Sequence, residues 1–388
     1  MEADENAKKL LDLCQTYSGS KLAKVLNEFM ASQKPTNIAI NGQLQNALHV
    51  TCANYEGEDI LGAVTVLLDA GIPANSVDAS LRNALHHLML RDNVLHANHV
   101  VKLLIERETD VLQQELGKTN VKSIIQCRDI YGNSALHLLC SRPENDTPIE
   151  LVRTLLENCL YVNLLDNELR TALHVLCQNT QMCNRADIAE AMIAFAFGFD
   201  LVNAESKLGN NALHYLLDEL EGNLNIKEMA LLLIEHGINV NSPNGDGEYP
   251  LHLLCKNYKG NDILDILKRI VERQTDEVKR KTTKENKNAL HLVLQYYTHN
   301  DVVMIEVVDY LVHLGVDVRG KDNYGRIPIF YLYDRDAKST FEAQIIKKLL
   351  DVMGKEGVTL FNLINGYIRE TEQNPDGGET NTMTVPIT

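Results

Sequence analysis

Asn83-Ala-Leu-His86, Ser134-Ala-Leu-His137, Thr171-Ala-Leu-His174 and Asn211-Ala-Leu-His214 are copies of one tetrad, and its recurrence decides the fold. Working outward from these four, further copies stand at Asn46-Ala-Leu-His49, Tyr249-Pro-Leu-His252 and Asn288-Ala-Leu-His291. A degenerate copy follows at Ile327-Pro-Ile-Phe330. Counted from His49, the steps are 37, 51, 37, 40, 38, 39 and 39 residues. A fixed period in the range of roughly 20–50 residues marks a stacked repeat array.

Each copy opens the same local sequence. Asn, Ser or Thr at the first position suits a helix N-cap, and Pro at the second suits the first helical turn. Short apolar runs follow, such as Leu136-His-Leu-Leu-Cys140 and Leu251-His-Leu-Leu-Cys255. After a polar loop, a second helix shows spacing near 3.6, as in Ile149, Val152, Leu155 and Leu156. Gly71, Gly198, Gly237 and Gly315 stand where left-handed C-caps are expected. Turn pairs such as Asn244-Gly245 lead to the next tetrad. No such unit buries its apolar face alone, so stability comes from stacking on neighbours.

The sequence therefore parses into four parts: a capping helix pair over 1–38, an array over 39–356 with an insertion near 107–122, a capping helix over 357–369, and a disordered tail over 370–388. A length of 388 residues, which would otherwise suggest two or three domains, is accounted for by about nine units of this period. Trp is absent, which counts against WD propellers and consensus tetratricopeptide arrays, since both use Trp in their signatures.

These units resemble ankyrin repeats. The tetrads stand where that family has Thr-Pro-Leu-His at the start of its first helix. Leu231-Leu-Leu-Ile-Glu-His-Gly-Ile-Asn-Val-Asn241 resembles the second helix running into the next hairpin, and Asp322-Asn-Tyr-Gly-Arg326 and Asn244-Gly-Asp-Gly247 resemble hairpin tips. The steps of 37–40 residues exceed the family norm of about 33. Leu44, Leu81 and Leu169 replace the hairpin Gly, which points to a different turn at those tips. The resemblance implies an all-α solenoid of about nine helix-turn-helix units with β-hairpin or turn connections. It also implies non-catalytic protein binding through hairpin tips and the concave first-helix face, and it places Asn163 and Asn241 where some family members are hydroxylated.

The candidate binding positions are Arg82, Tyr131, Asn133, Arg170, Leu208, Glu248, Lys287, Tyr324 and Arg326, at tips or first-helix starts. Tyr and Arg are the types that anchor interfaces. A net charge of −16 disfavours nucleic acid and anionic lipid and favours a protein partner with a basic surface. The basic run Lys279–Lys287 coincides with a hairpin and reads as a solvated tip. More specific forms of the binding reading are an inhibitor resembling the ankyrin inhibitors of NF-kappa-B, although no Asp-Ser-Gly phosphodegron is present, and a pathogen effector acting on host proteins.

The catalytic alternative rests on His-x-x-Cys at 49/52, 137/140, 174/177 and 252/255, a pair that shares one helical face. Packed helices lie ~8–10 Å apart, too far for such pairs to converge on one zinc ion. Gly117-Lys-Thr119 lacks the Gly that a phosphate-binding loop places five residues upstream. No cofactor or metal is expected, and the chain is read as a non-enzyme and a monomer. An acidic start, no apolar run near the ~20 residues a bilayer needs, and eight scattered Cys point to the cytoplasm or nucleus, with no membrane partner.

Overall fold

The structure is a computed structural model that describes residues 5–33, 38–91, 96–114, 124–142, 149–158, 162–218, 225–276, 280–297, 300–333 and 340–354. The segments 357–369 and 370–388, and residues 115–122 of the insertion, lie outside this set. Among the described residues there are eighteen helices and no strand. They pair in chain order: α1 (Glu5–Thr16) with α2 (Leu22–Ser32), α3 (Ala47–Asn54) with α4 (Ile60–Asp69), and α5 (Ala84–Met89) with α6 (Ala97–Gln114). Next come α7 (Ala135–Cys140) with α8 (Ile149–Asn158), and α9 (Ala172–Gln178) with α10 (Arg185–Ala194). The second half holds α11 (Ala212–Asp218), α12 (Ile226–Glu235), α13 (Pro250–Asn257) and α14 (Ile263–Arg273). It ends with α15 (Ala289–Tyr296), α16 (Asp301–His313), α17 (Phe330–Tyr333) and α18 (Thr340–Met353).

Two compact bodies divide the chain, one of residues 1–207 with 222–225, the other of 208–221 with 226–388. Within each, first helices stack on first helices and second helices on second helices. In the first body α3 packs on α1 and α5 while α4 packs on α2 and α6; in the second α13 packs on α11 and α15 while α14 packs on α12 and α16. Leu85 and Leu173 of the first helices and Leu104 and Val152 of the second helices are all fully buried.

The first helices start where the tetrads begin. The Asn46, Asn83 and Asn288 side chains accept from the backbone N–H of the tetrad His at 3.0–3.2 Å, the N-cap bond expected of Asn. Asn also does something Ser and Thr do not: the Nδ2 groups of Asn83, Asn211 and Asn288 donate to Ile124, Asn239 and Asp317 carbonyls at 2.7–2.9 Å, tying each helix start to the loop of the next repeat. Three second helices end in a Schellman motif. Gly71, Gly237 and Gly315 have φ of +88°, +83° and +77°, and the N–H groups of Ile72, Ile238 and Val316 reach back to Leu67, Leu233 and Leu311 at 3.1–3.3 Å. Gly198 departs from the expectation. Its φ is +81°, but α10 has already ended at Ala194, so the residue shapes the following loop rather than capping the helix.

First-helix C-termini are capped across the repeat boundary. The residue five past the tetrad His donates to the exposed carbonyls of the preceding first helix. Arg91 Nη1 reaches Cys52 and Tyr55 O at 3.3 and 2.7 Å; Arg142 reaches Met89 and Leu88 O at 2.7 and 3.1 Å. Asn179 Nδ2 donates to Cys140 and Arg142 O at 2.9 and 2.6 Å, and Asn257 Nδ2 to Leu217 O at 2.9 Å. These carbonyls lie at or just beyond helix C-termini, where the last turn leaves C=O groups short of intrahelical donors, and the negative end of the helix dipole suits the two guanidinium groups.

The loop inside a repeat has its own lock. Tyr55 Oη donates to Asp59 and accepts from Leu22 N–H at 3.0 Å, while Asp59 Oδ2 accepts from Ala23 N–H at 2.9 Å. Tyr258 and Asp262 repeat the pair at 2.5 Å. Each Tyr folds beneath a glycine, Gly57 or Gly260, at which a Cβ would collide with the hydroxyl. We expect Gly57→Ala to cost about 2 kcal/mol through loss of the buried hydroxyl bonds. A thermal melt indistinguishable from wild type would show that the loop yields without cost.

A candidate protein-interaction edge

The tips between repeats are Asx turns. Asp78 Oδ1 accepts from Ser80 and Arg82 N–H at 2.8 and 2.9 Å, and Asp166 Oδ1 from Glu168 and Arg170 N–H, both at 2.8 Å. Asp129 and Asp322 make the same two bonds at 2.8–2.9 Å, and the Asn244 carboxamide accepts likewise at 3.0 and 2.9 Å. The second carboxylate oxygen is satisfied differently each time. His87 serves Asp78 at 3.0 Å, Arg82 serves Asp129 at 3.3 Å, Arg170 serves Asp166 at 2.8 Å, and the Tyr331 hydroxyl serves Asp322 at 2.5 Å. Neighbouring tips are stitched by backbone bonds. In the first body Ala79 N–H donates to Gln43 O, Ile130 to Ser80, Asn167 to Tyr131 and Lys207 to Glu168, at 2.9–3.0 Å. In the second, Gly245 N–H donates to Leu208 O at 2.7 Å and Asn323 N–H to Glu285 O at 2.9 Å.

Beneath the tips run the tetrad histidines, none more than 1% exposed. In all seven, Nδ1 accepts the backbone N–H of the first tetrad residue at 2.9–3.3 Å. In six, Nε2 lies 2.8–3.2 Å from a carbonyl of the following connection: Ser76, Asn133, Arg170, Ala204, Lys281 or Arg326. A donor on one side and a carbonyl on the other assign the neutral Nε2–H tautomer. In those six, the ring of the tetrad His thus holds the connection that follows. Within each body this is an all-α stack of helix pairs.

No protein-family model and no curated protein sequence matches the chain. Among solved structures it is similar to the ankyrin repeat domain of Bcl-3, described as a unique member of the IkappaB protein family. The identity is 20% and the TM-score 0.44, over 68% of this chain and 97% of that one.

The tips depart from the sequence expectation at one point. Leu44, Leu81 and Leu169 do not change the turn. They adopt the same left-handed conformation as Gly132, Gly209, Gly247 and Gly325, with φ of +60°, +58° and +58°. The Asx bonds and the stitches between tips over-determine the backbone, so the leucines are held in a region that costs roughly 1–2 kcal/mol for a side chain of this kind. Their side chains are 49%, 49% and 46% exposed, so the strain is spent on surface that faces water. At Gly132 a leucine is excluded, since a Cβ would lie 2.7 Å from Asn167 N and Oδ1 of the next tip.

The nine candidate positions separate by exposure. Tyr131, Leu208 and Tyr324 stand out from the surface at 60%, 64% and 66% exposed. Arg82, Asn133, Arg170, Glu248 and Arg326 are half-buried. Arg82 binds Asp129, Arg170 binds Gln178 Oε1 at 3.0 Å as well as Asp166, and Glu248 binds Lys256 at 2.9 Å. Lys287 is not a solvated tip residue: it is 6% exposed, 2.7 Å from Glu285, with its ammonium 5.4 Å from the Tyr331 ring centroid. Apolar residues that the candidate set did not include, Ile40, Val77, Ile130 and Leu165, are also exposed beside the Asx positions. Their signal in the sequence is an aliphatic residue adjoining the Asx residue. Asn163 is half-buried. So is Asn241, whose amide donates to Arg273 O at 3.2 Å and accepts from Thr275 N–H at 2.9 Å.

The His-x-x-Cys pairs serve the scaffold. Six rings spend both nitrogens on the tethers described above, which leaves none to hold a metal. Burial pushes the Cys52, Cys177 and Cys255 thiols up to about 12 and raises Cys140 further, so these sulfurs are protonated at neutral pH. Among the described residues, no group of three or more His, Cys, Asp or Glu side chains is arranged to hold a metal ion, and no helix is long and apolar enough to cross a membrane. Gly117-Lys-Thr119 lies outside the described residues.

Proposed function

We propose that the protein is a non-catalytic interaction scaffold that grips a partner protein along the hairpin tips of its first body. The observation that carries this reading is the set of strained, half-exposed leucines at 44, 81 and 169. Left-handed backbone is tolerated by Gly and Asn, so leucine there is a local conflict, and about half of each side chain still faces water. Burial of those side chains against another molecule supplies the compensation. Ile40, Val77, Ile130, Tyr131 and Leu165 extend the apolar surface beside them, and the backbone stitches hold the row in fixed order. A row of apolar and aromatic anchors on a rigid frame is what a protein interface uses, with little ordering cost on binding.

The test is crosslinking capture with the full chain, comparing wild type with Leu81→Asn/Tyr131→Ala/Leu169→Asn. The expected result is loss of one or a few specific partners from the variant while far-ultraviolet circular dichroism is unchanged. Identical partner sets would end the tip hypothesis.

A further inference from the structure

Two consecutive tips of the second body carry a charge that the chain as a whole does not. In a chain of net charge −16, residues 280–287 hold Arg280, Lys281, Lys284 and Lys287 against Glu285 alone. Residues 319–326 hold Arg319, Lys321 and Arg326 against Asp322 alone. The tips are joined into one surface, since Asn323 donates through its backbone N–H to Glu285 O at 2.9 Å and through Nδ2 to Lys284 O at 3.0 Å.

Both acids are engaged internally. Asp322 takes two backbone N–H groups and the Tyr331 hydroxyl, and Glu285 pairs with Lys287. The cations are stacked on aromatic rings. The Arg326 guanidinium lies 5.8 Å from the Tyr324 ring centroid and 5.9 Å from that of Tyr331, whose ring also faces the Lys287 ammonium. Such stacking fixes long side chains before any partner arrives, which removes much of the ordering cost of binding. Tyr324 stands exposed, and Lys284 and Lys321 of the same two tips are exposed as well, Lys284 Nζ lying 3.7 Å from Asp246.

We propose that Tyr324 and Arg326, supported from beneath by buried Tyr331 and Lys287 and accompanied by exposed Lys284 and Lys321, form a docking site for an acidic, extended segment of a partner protein. The inference rests on the interaction reading above and adds the chemistry of one contact. Nucleic acid fits less well. Single-strand sites offer several rings for stacking bases, whereas here Tyr331 is buried under two cations and only Tyr324 projects. The field of the remaining chain also opposes a long polyanion, while a short acidic segment spans little beyond these two tips, where it competes with Asp246 for the Lys284 ammonium.

The experiment is fluorescence anisotropy of the full chain with three labelled probes: a short peptide alternating carboxylate residues with Leu and Gly, the same peptide with Lys for each carboxylate, and a single-stranded RNA of matched length. The acidic peptide is expected to bind best and to weaken as salt rises. Affinity is expected to fall about tenfold in Tyr324→Ala and in the surface variant Lys284→Glu/Lys321→Glu, with unchanged thermal melts. Equal binding by the charge-reversed variant, tighter binding of the basic peptide or RNA, or no binding of the acidic peptide overturns the proposal. If it falls while crosslinking capture still depends on Leu81, Tyr131 and Leu169, the interaction reading stands and this surface lies outside it.

Discussion

Acidification from pH 7 toward pH 4 is expected to unfold the protein in a steep transition with its midpoint inside that window. The tetrad histidines are the cause. Burial lowers the pKa of His86, His174 and His252 to about 4, only partly offset by the bond each Nε2 makes to a carbonyl. His49, His137 and His291 are lowered from the same cause. Geometry agrees at Thr171 and Tyr249, where Nδ1 of the tetrad His receives a backbone N–H at 2.9 and 3.3 Å, so a proton there displaces the bond that caps the helix.

In the unfolded chain these rings titrate near 6.5. Below that pH the unfolded state binds more protons than the folded one, so stability is full above about 6.5 and is lost progressively as pH falls toward 4. A shift from 6.5 to about 4 corresponds to on the order of 3 kcal/mol for each ring at the acid end of the window. Three such rings together match the whole stability of an ordinary domain, about 5–15 kcal/mol. Circular dichroism against pH checks this, and the steepness should report uptake of at least three protons. A helical signal that persists unchanged to pH 4 would mean that the rings protonate in place. On this expectation the tetrad histidines, those of the His-x-x-Cys pairs at 174 and 252 included, act as acid-sensitive fastenings between repeats.

How much of this was legible without coordinates depends on how far apart the partners are. The tetrad register, the helix pairs including α1 and α2, and the glycine caps at 71, 237 and 315 follow from signals within one repeat. Features that join repeats were not legible. Arg142 and Asn179 are ordinary loop residues until their acceptors are known, and those lie 37 to 54 residues away. Lys287 belongs to a basic run, and only Tyr331, brought over it by the following repeat, shows why it is buried. At Leu44, Leu81 and Leu169 local propensity argued for a new turn and lost, because a carboxylate or carboxamide with two backbone bonds, plus a stitch to the neighbouring tip, outweighs one strained residue. The proposed interaction surface is where local and global preferences disagree, which is where functional residues are expected to lie.

That disagreement can be tested directly by the triple variant Leu44→Asn/Leu81→Asn/Leu169→Asn. Asn visits the left-handed region readily, and Asn286 already occupies the equivalent turn position in this chain with φ +61°. Each substitution relieves roughly 1–2 kcal/mol of backbone strain and forfeits about 1 kcal/mol of half-buried apolar surface. The net effect on folding is therefore neutral to slightly stabilising, so the melting temperature should hold or rise by a few degrees. Binding should move the other way. Apolar anchors central to an interface cost about tenfold or more each when removed, so capture of the partner should fall by at least two orders of magnitude, about 3 kcal/mol. Melting and capture read on the same preparation separate the two roles. A variant that melts several degrees lower yet keeps its partner would make these leucines internal packing. One that melts as high as wild type and loses its partner would show that the strain at the tips is maintained for a contact outside the chain.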